Sequence, residues 1–219
     1  AFCHAAQCPI LSTWTGADIV CDLPLHIGHF GIFGDRASNL VVQNADWLFV
    51  LGASLSIPQT GYQREYFARG AHIDHKDLQR LPDMHAADDE WNARCLDWKA
   101  RYGIDTEMRE RKAGYVNSFD FIASLSESLP IDAVVVTDMG TAFTCTFQAA
   151  RMKYGQRWLT ASGFAPMGYG LPGAIGAHYA TGRRVTCITG DGGLMFNMQE
   201  LQTIGERKLP IDIYVLDNG

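Results

Sequence analysis

Four apolar runs constrain this chain most. They are Trp47–Leu51 before Gly52, Ala133–Thr137 before Asp138, Val185–Thr189 before Gly190, and Ile211–Leu216 before Asp217. A continuous apolar run closed by a glycine, such as Trp47–Leu51, is the pattern of a strand covered on both faces. The run at 211–216 likewise reads as a strand inside a sheet. Between the runs lie helix-like stretches: Asp35 to Gln43, with Asp35 as a cap, then Phe119–Leu129, Gly168–Tyr179 and Met198–Glu206. Strands alternating with helices mean a parallel sheet with helices on its faces. The expected class is α/β, as two doubly wound parallel-sheet domains.

At about 100–200 residues per domain, 219 residues allow one large domain or two small ones. The segment Asp88 to Lys112 changes character, being dense in charge, with Trp91, Cys95 and Trp98 at helical spacing. It reads as a solvated helix and a polar linker, or alternatively as a partner-binding helix. The expected division is therefore 1–112 and 113–219. Upstream, Pro9–Thr13 and Ala71–Asp74 read as short strands and Gly28–Gly34 as a glycine-rich loop. Both domains read as incomplete. The opening Ala1–Ala6 resembles the tail of a helix, and the chain stops at Gly219 directly after an apolar run. A longer chain or a companion fragment is the expectation.

Composition excludes several classes. Apolar residues make up 47% and charged residues 19%, against the usual ~25% charged, so the chain can bury a core. The net charge of −6 argues against nucleic acid as a partner, because phosphate binding needs clustered Lys and Arg. No apolar run approaches the ~18 residues that span a membrane, and no signal peptide is recognisable. The six cysteines form no CxxC pair, which argues against a disulfide framework or a cysteine metal site and for a reduced, cytoplasmic protein. Cys145 and Cys187 read as small buried hydrophobes.

The chemistry concentrates at two run ends. Gly190-Asp191-Gly192 closes one strand, and Asn218 follows the next, with 25 residues between Gly192 and Asn218. That interval holds one crossover helix and one strand. A right-handed parallel unit brings both strand ends to the same sheet edge, where open α/β sheets bind ligands. A carboxylate with an amide oxygen is a hard donor set, suited to Mg²⁺ or Ca²⁺ rather than zinc. Mg²⁺ shares its shell with substrate phosphates, and Gly192 and Gly193 let backbone N–H groups approach a phosphate. Residue types and spacing suggest a Mg²⁺-bridged diphosphate. A GDG turn with no ligand is the plainer alternative.

Gly190-Asp191-Gly192 with Asn218 resembles the signature of thiamine-diphosphate-dependent enzymes. The stretch Trp158–Ala177, together with Asn197–Leu201 and Leu209-Pro210, resembles the acetolactate synthase branch. Gly28–Gly34, Ala45-Asp46, Gly52-Ala53 and His72–Asp74 are similar, in order, to that family's central domain. The resemblance implies thiamine diphosphate and Mg²⁺ as cofactors. It assigns Asp191 and Asn218 as metal ligands, with a third ligand, a backbone carbonyl, one residue past Gly219. It assigns Gly190, Gly192 and Gly193, with Gly140, Thr141 and Ala142, to the diphosphate. Met167 matches the apolar residue that props the cofactor in its bent form, the alternative being core packing. The implied reaction is decarboxylation of a 2-oxo acid, pyruvate in the first instance, with ligation to a second carbonyl.

Three departures accompany the resemblance. The family's cofactor-activating glutamate sits in a pyrimidine-binding domain with no counterpart here, often on a neighbouring subunit, so the catalytic residue within this chain is unknown. Glu200 is no substitute. Gln-His, frequent in the family after the first diphosphate glycine, is Thr141-Ala142 here. Ser54–Pro58 stands where flavin-binding members carry Arg-Phe-Asp-Asp-Arg, which counts against FAD. The implied partners are a 2-oxo acid, a carbonyl acceptor, and other copies of the chain in a homodimer or homotetramer. The alternatives are a simple 2-oxo acid decarboxylase and a non-catalytic Mg²⁺–nucleotide module.

Overall fold

A computed structural model describes residues 7–76, 87–106 and 112–218. The stretch Ala1–Ala6, part of the linker before Lys112, and Gly219 lie outside the described residues. The chain divides into two compact units, residues 1–13 with 20–108, and residues 14–19 with 109–219. Both are α/β, and every strand pairing among the described residues is parallel.

In the first unit, β1 (Ile10–Ser12) pairs with β2 (His26–His29), and β3 (Trp47–Leu51) pairs with β4 (His72–Lys76). The short helix α1 (Ala17–Val20) falls largely in the second unit. The glycine-rich stretch read as a loop from Gly28 thus begins inside a strand. Helix α2 (Arg36–Asn44) starts at Asp35, whose side chain accepts the Ser38 N–H, as its cap position demands. A short helix α3 (Ile57–Thr60) precedes β4. The charged segment forms α4 (Asp89–Tyr102), capped by Asp88 on the Trp91 N–H. Its Trp91, Cys95 and Trp98 stripe packs with Ile27, Ala37 and Val41. The helix is therefore one layer of this unit's core rather than a wholly solvated element. The apolar run of β3 is less covered than its sequence suggests: only Val50 is buried, and Trp47 is 43% exposed. A two-stranded sheet leaves much of each strand without a covering layer.

The second unit holds one four-stranded sheet of β5 (Val134–Thr137), β6 (Arg157–Thr160), β7 (Val185–Gly190) and β8 (Ile211–Leu216). The strand order is β6-β5-β7-β8. The helices are α5 (Ser118–Ser128), α6 (Thr141–Ala149), α7 (Gly170–Thr181), α8 (Asp191–Phe196) and α9 (Glu200–Arg207). Asn117 caps α5 on the Phe119 and Asp120 N–H groups. Every residue of β5 is buried, and Val134 and Val136 pack with Leu171, Ala174 and Ala177 of α7 on one face. Residues 14–19 serve this unit. Trp14 meets Phe143 edge-on at 4.8 Å, and Asp18 accepts the Trp158 N–H while pairing with Arg157. The run at 211–216, read as an interior strand, is an edge strand among the described residues and is half-buried, pairing with β7 alone.

Candidate cofactor site

The strand order sets the place. From β5 the chain crosses to β6 on one side, then returns past β5 to β7 and β8 on the other. Adjacent strands whose connections diverge make a switch point, and the crevice outside their carboxyl ends is where such sheets take ligands. Here that point lies between β5 and β7. Their register pairs Thr137 with Ile188, and β7 and β8 run in register to the pair Gly190 and Leu216. Asp191 and Asn218 therefore leave the same sheet edge from neighbouring strands, one residue and two residues beyond that last pair.

The other expected residues cluster by the same logic. Gly140 precedes α6 and is exposed, as is Thr141. The Ala142 side chain is fully buried, so only its backbone can face a ligand. Gly190 and Asp191 form the β7–α8 junction, with Gly192 and Gly193 in the first turn of α8. Met167 lies 52% exposed on the loop before α7. A Cβ added to Gly192 would sit 3.5 Å from Met167 Cε, so the thioether end rests over that glycine. At Gly168, φ is +88°, and a Cβ would come 2.7 Å from that of Phe196. Glycine answers both demands there.

Two aspartates at this edge differ in their surroundings. Asp138, at the end of β5, is 1% exposed. Its Oδ1 accepts the Met139 and Gly168 N–H groups at 2.7 and 2.9 Å. Its Oδ2 accepts the Thr189 hydroxyl at 3.0 Å and the Gly170 N–H at 3.3 Å. An ionised carboxylate offers about four acceptor positions, and all are taken. Asp191 is half-buried, and among the described residues nothing donates to its carboxylate. Of the two, Asp191 is the one whose carboxylate is unengaged among the described residues. Asp191 with Asn218 is a hard-oxygen pair at the carboxyl ends of β7 and β8, next to the switch point and beside a glycine turn, and that donor chemistry fits Mg²⁺ and a diphosphate.

The sequence reading passed over Asp138 and Asn197, whose Nδ2 donates to the Gly168 carbonyl at 2.8 Å. The available signal for Asp138 was its place: an acid directly after a buried strand, as Asp191 is. Cys187 is buried as expected, and burial, then the neighbouring Asp138 charge, pushes its thiol up to about 12. It is a packing residue. Glu200, set aside as a catalytic group, accepts the Thr203 hydroxyl at 3.2 Å.

The first unit carries its own polar group, which the sequence reading also missed. Ser12 Oγ lies 3.0 Å from His26 Nε2 and 2.6 Å from His29 Nδ1. Burial pushes both imidazoles down to about 4, with the His29 and Lys99 charges adding to the effect at His26. Both rings are neutral at pH 7. Asp35 accepts the His29 N–H, and Lys99 donates to the His26 carbonyl at 2.6 Å.

No helix of the described residues is long and apolar enough to cross a membrane. Comparison with known proteins matches residues 1–87 to the thiamine pyrophosphate enzyme central domain. Residues 138–219 match the thiamine pyrophosphate enzyme C-terminal TPP binding domain. The chain is 31% identical over 221 residues to the acetolactate synthase isozyme 1 large subunit of Escherichia coli K12, covering 89% of this chain and 39% of that protein. Against the isozyme 2 large subunit of the same strain it is 30% identical over 241 residues, with 99% and 43% covered. Against the acetolactate synthase of Arthrospira platensis it is 31% identical over 245 residues, with 97% and 42% covered. The chain spans about two fifths of the length of these relatives. With a glycine turn at the switch point and both domain matches in chain order, the protein belongs to the thiamine pyrophosphate enzyme family and is similar within it to acetolactate synthase large subunits.

Proposed function

We propose that the edge of the second unit's sheet binds thiamine diphosphate through Mg²⁺, and that the whole protein decarboxylates a 2-oxo acid and joins the acyl unit to a second carbonyl. One observation carries this reading: in-register β7 and β8 bring Asp191 and Asn218 to one sheet edge next to the switch point, the Asp191 carboxylate being unengaged among the described residues. Asp191 and Asn218 would hold the metal through side-chain oxygens. Gly190, Gly192, Gly193, Gly140, Thr141 and Ala142 would meet the diphosphate, Ala142 through its backbone. Met167, standing over Gly192, would support the cofactor's middle. Thiamine diphosphate supplies the electron sink for loss of CO₂. The chain's own contribution is position and charge neutralisation at the diphosphate end. The relatives are named as acetolactate synthases, which supports the general reaction. A simple decarboxylase is separated from it by product analysis with and without an acceptor carbonyl.

The remaining parts of the reading follow the resemblance. The central domain is assigned to 1–112 and the cofactor-binding domain to 113–219. The activating glutamate comes from a pyrimidine-binding domain, in a homodimer or homotetramer, in the cytoplasm. FAD is left out because Ser54–Pro58 lacks the flavin-associated run. Titration calorimetry tests the core of the proposal. Thiamine diphosphate binds in the presence of Mg²⁺ and loses affinity in EDTA, and Asp191→Ala weakens binding at least ~10-fold, since perturbing even an outer-shell partner costs that much. Equal affinity with and without EDTA overturns it.

A further inference from the structure

Asp138 carries a set of contacts that a metal-ligand role does not account for. Its carboxylate is buried and saturated by donors from three separate segments: Met139 after β5, Gly168 and Gly170 at the start of α7, and Thr189 near the end of β7. The surrounding backbone is shaped around it. A Cβ on Gly193 would lie 2.7 Å from Asp138 Oδ2, and one on Gly170 would lie 3.2 Å from it. Side chains at either position would push the carboxylate away. With no acceptor position free, Asp138 is not available as a metal ligand.

We propose that Asp138 is a positioning residue for the cofactor site. It pins the Met167–Gly170 segment to the ends of β5 and β7, and so holds Met167 over Gly192 before any ligand arrives. This rests on the reading of the site above. Charge-assisted hydrogen bonds are about twice as strong as neutral ones, and here they are made out of water. A loop otherwise free to move is thereby ordered in advance, which lowers the cost of ordering it on binding. The carboxylate matters here, beyond the shape of the side chain. Oδ1 of an aspartate or an asparagine could keep the Met139 and Gly168 donors. An asparagine Nδ2, however, would face the Gly170 N–H donor to donor.

The test uses Asp138→Asn, which keeps the shape, with Thr189→Val and Thr189→Ser as a matched pair. Two quantities are measured on the chain: amide exchange at Gly168 and Gly170 without ligand, and calorimetric affinity for thiamine diphosphate with Mg²⁺. In Asp138→Asn, exchange accelerates most at Gly170, which loses its acceptor, and less at Gly168, which keeps Oδ1, while exchange across β5 and β7 is unchanged, and affinity falls about 10-fold, the lower figure for losing a supporting partner. Thr189→Val shifts both in the same direction by less, and Thr189→Ser, which restores the hydroxyl, returns them to the parent values. Unchanged exchange at Gly168 and Gly170, or affinity within twofold of the parent, overturns the proposal. Should Asp138→Asn loosen the whole unit, the threonine pair decides: equal behaviour of Val and Ser overturns it. A parent chain that binds no thiamine diphosphate overturns the functional reading instead, while the exchange data still decide whether Asp138 pins the segment.

Discussion

The two units contain strands that read alike in sequence and differ in burial. Trp47–Leu51 and Ala133–Thr137 are both continuous apolar runs ending at a turn. In the second unit, β5 is an inner strand of a four-stranded sheet, flanked by β6 and β7, and Val135 and Val136 are 0% exposed. In the first unit, β3 has one partner among the described residues, and its first residue, Trp47, stands 43% exposed. Apolar sequence makes burial favourable, but the number of neighbouring strands and covering layers decides how much is realised. The polar groups differ in the same sense. The second unit buries a charged group, Asp138, and saturates it. The first withdraws a histidine pair from water and keeps it neutral.

The largest test of this contrast is a charge placed in each strand. Val135→Asp buries an unpaired carboxylate and is expected to cost more than about 4 kcal/mol, the range reserved for such defects. Trp47→Asp, at a position already open to water, costs less than half as much. Urea unfolding measures both, and comparable losses would mean that β3 is covered as thoroughly as β5.

Next in size is the pH dependence of the first unit. His26 and His29 take up protons only near pH 4 when folded, but near 6.5 when unfolded. The unfolded state therefore binds more protons between those values. Stability is full above about pH 6.5 and falls as pH drops toward 4. Each tenfold difference in proton affinity between the folded and unfolded states is worth about 1.4 kcal/mol, so the pair accounts for a loss of a few kcal/mol. Amide exchange in α2 follows that loss more steeply than exchange in α6. His29→Gln flattens the profile, and an unaltered slope in that variant would remove the histidines from the account.

The smallest effect separates two helix caps. Asn117 caps the start of α5, and Asn117→Ala is expected to cost about 1 kcal/mol. Asp35 caps α2 and also accepts the His29 N–H and the Ser38 hydroxyl. Asp35→Ala therefore costs about 2 kcal/mol or more. Equal unfolding midpoints would show that the links from Asp35 back to β2 add nothing to its cap.

That Asp191 and Asn218 leave one sheet edge was legible because these residues carry a spacing signal. GDG after an apolar run, one helix and one strand before Asn218, follow from local rules and from the handedness of parallel crossovers. The strand at 157–160 and the helix at 141–149 were harder to read. The first is short and opens on Arg157 with Trp158 after it, and the second, Thr141 to Ala149, carries no charge and exposes only the narrow stripe of Thr141, Thr144 and Gln148. Asp138 was visible as a residue but not as a role. Its partners lie 30 and 51 positions away at Gly168 and Thr189, and no local periodicity encodes such a meeting.

By itself the sequence determined the α/β class and the parallel pairing, because strand and helix periods are local properties of the chain. Only the tertiary structure decided which apolar run became an inner strand and which an edge, that residues 14–19 serve the second unit, and which of two aspartates at one sheet edge is saturated and which is open. Those outcomes depend on neighbours brought together from distant positions, where burial and hydrogen-bond saturation are set by the whole packing rather than by the residue and its nearest companions.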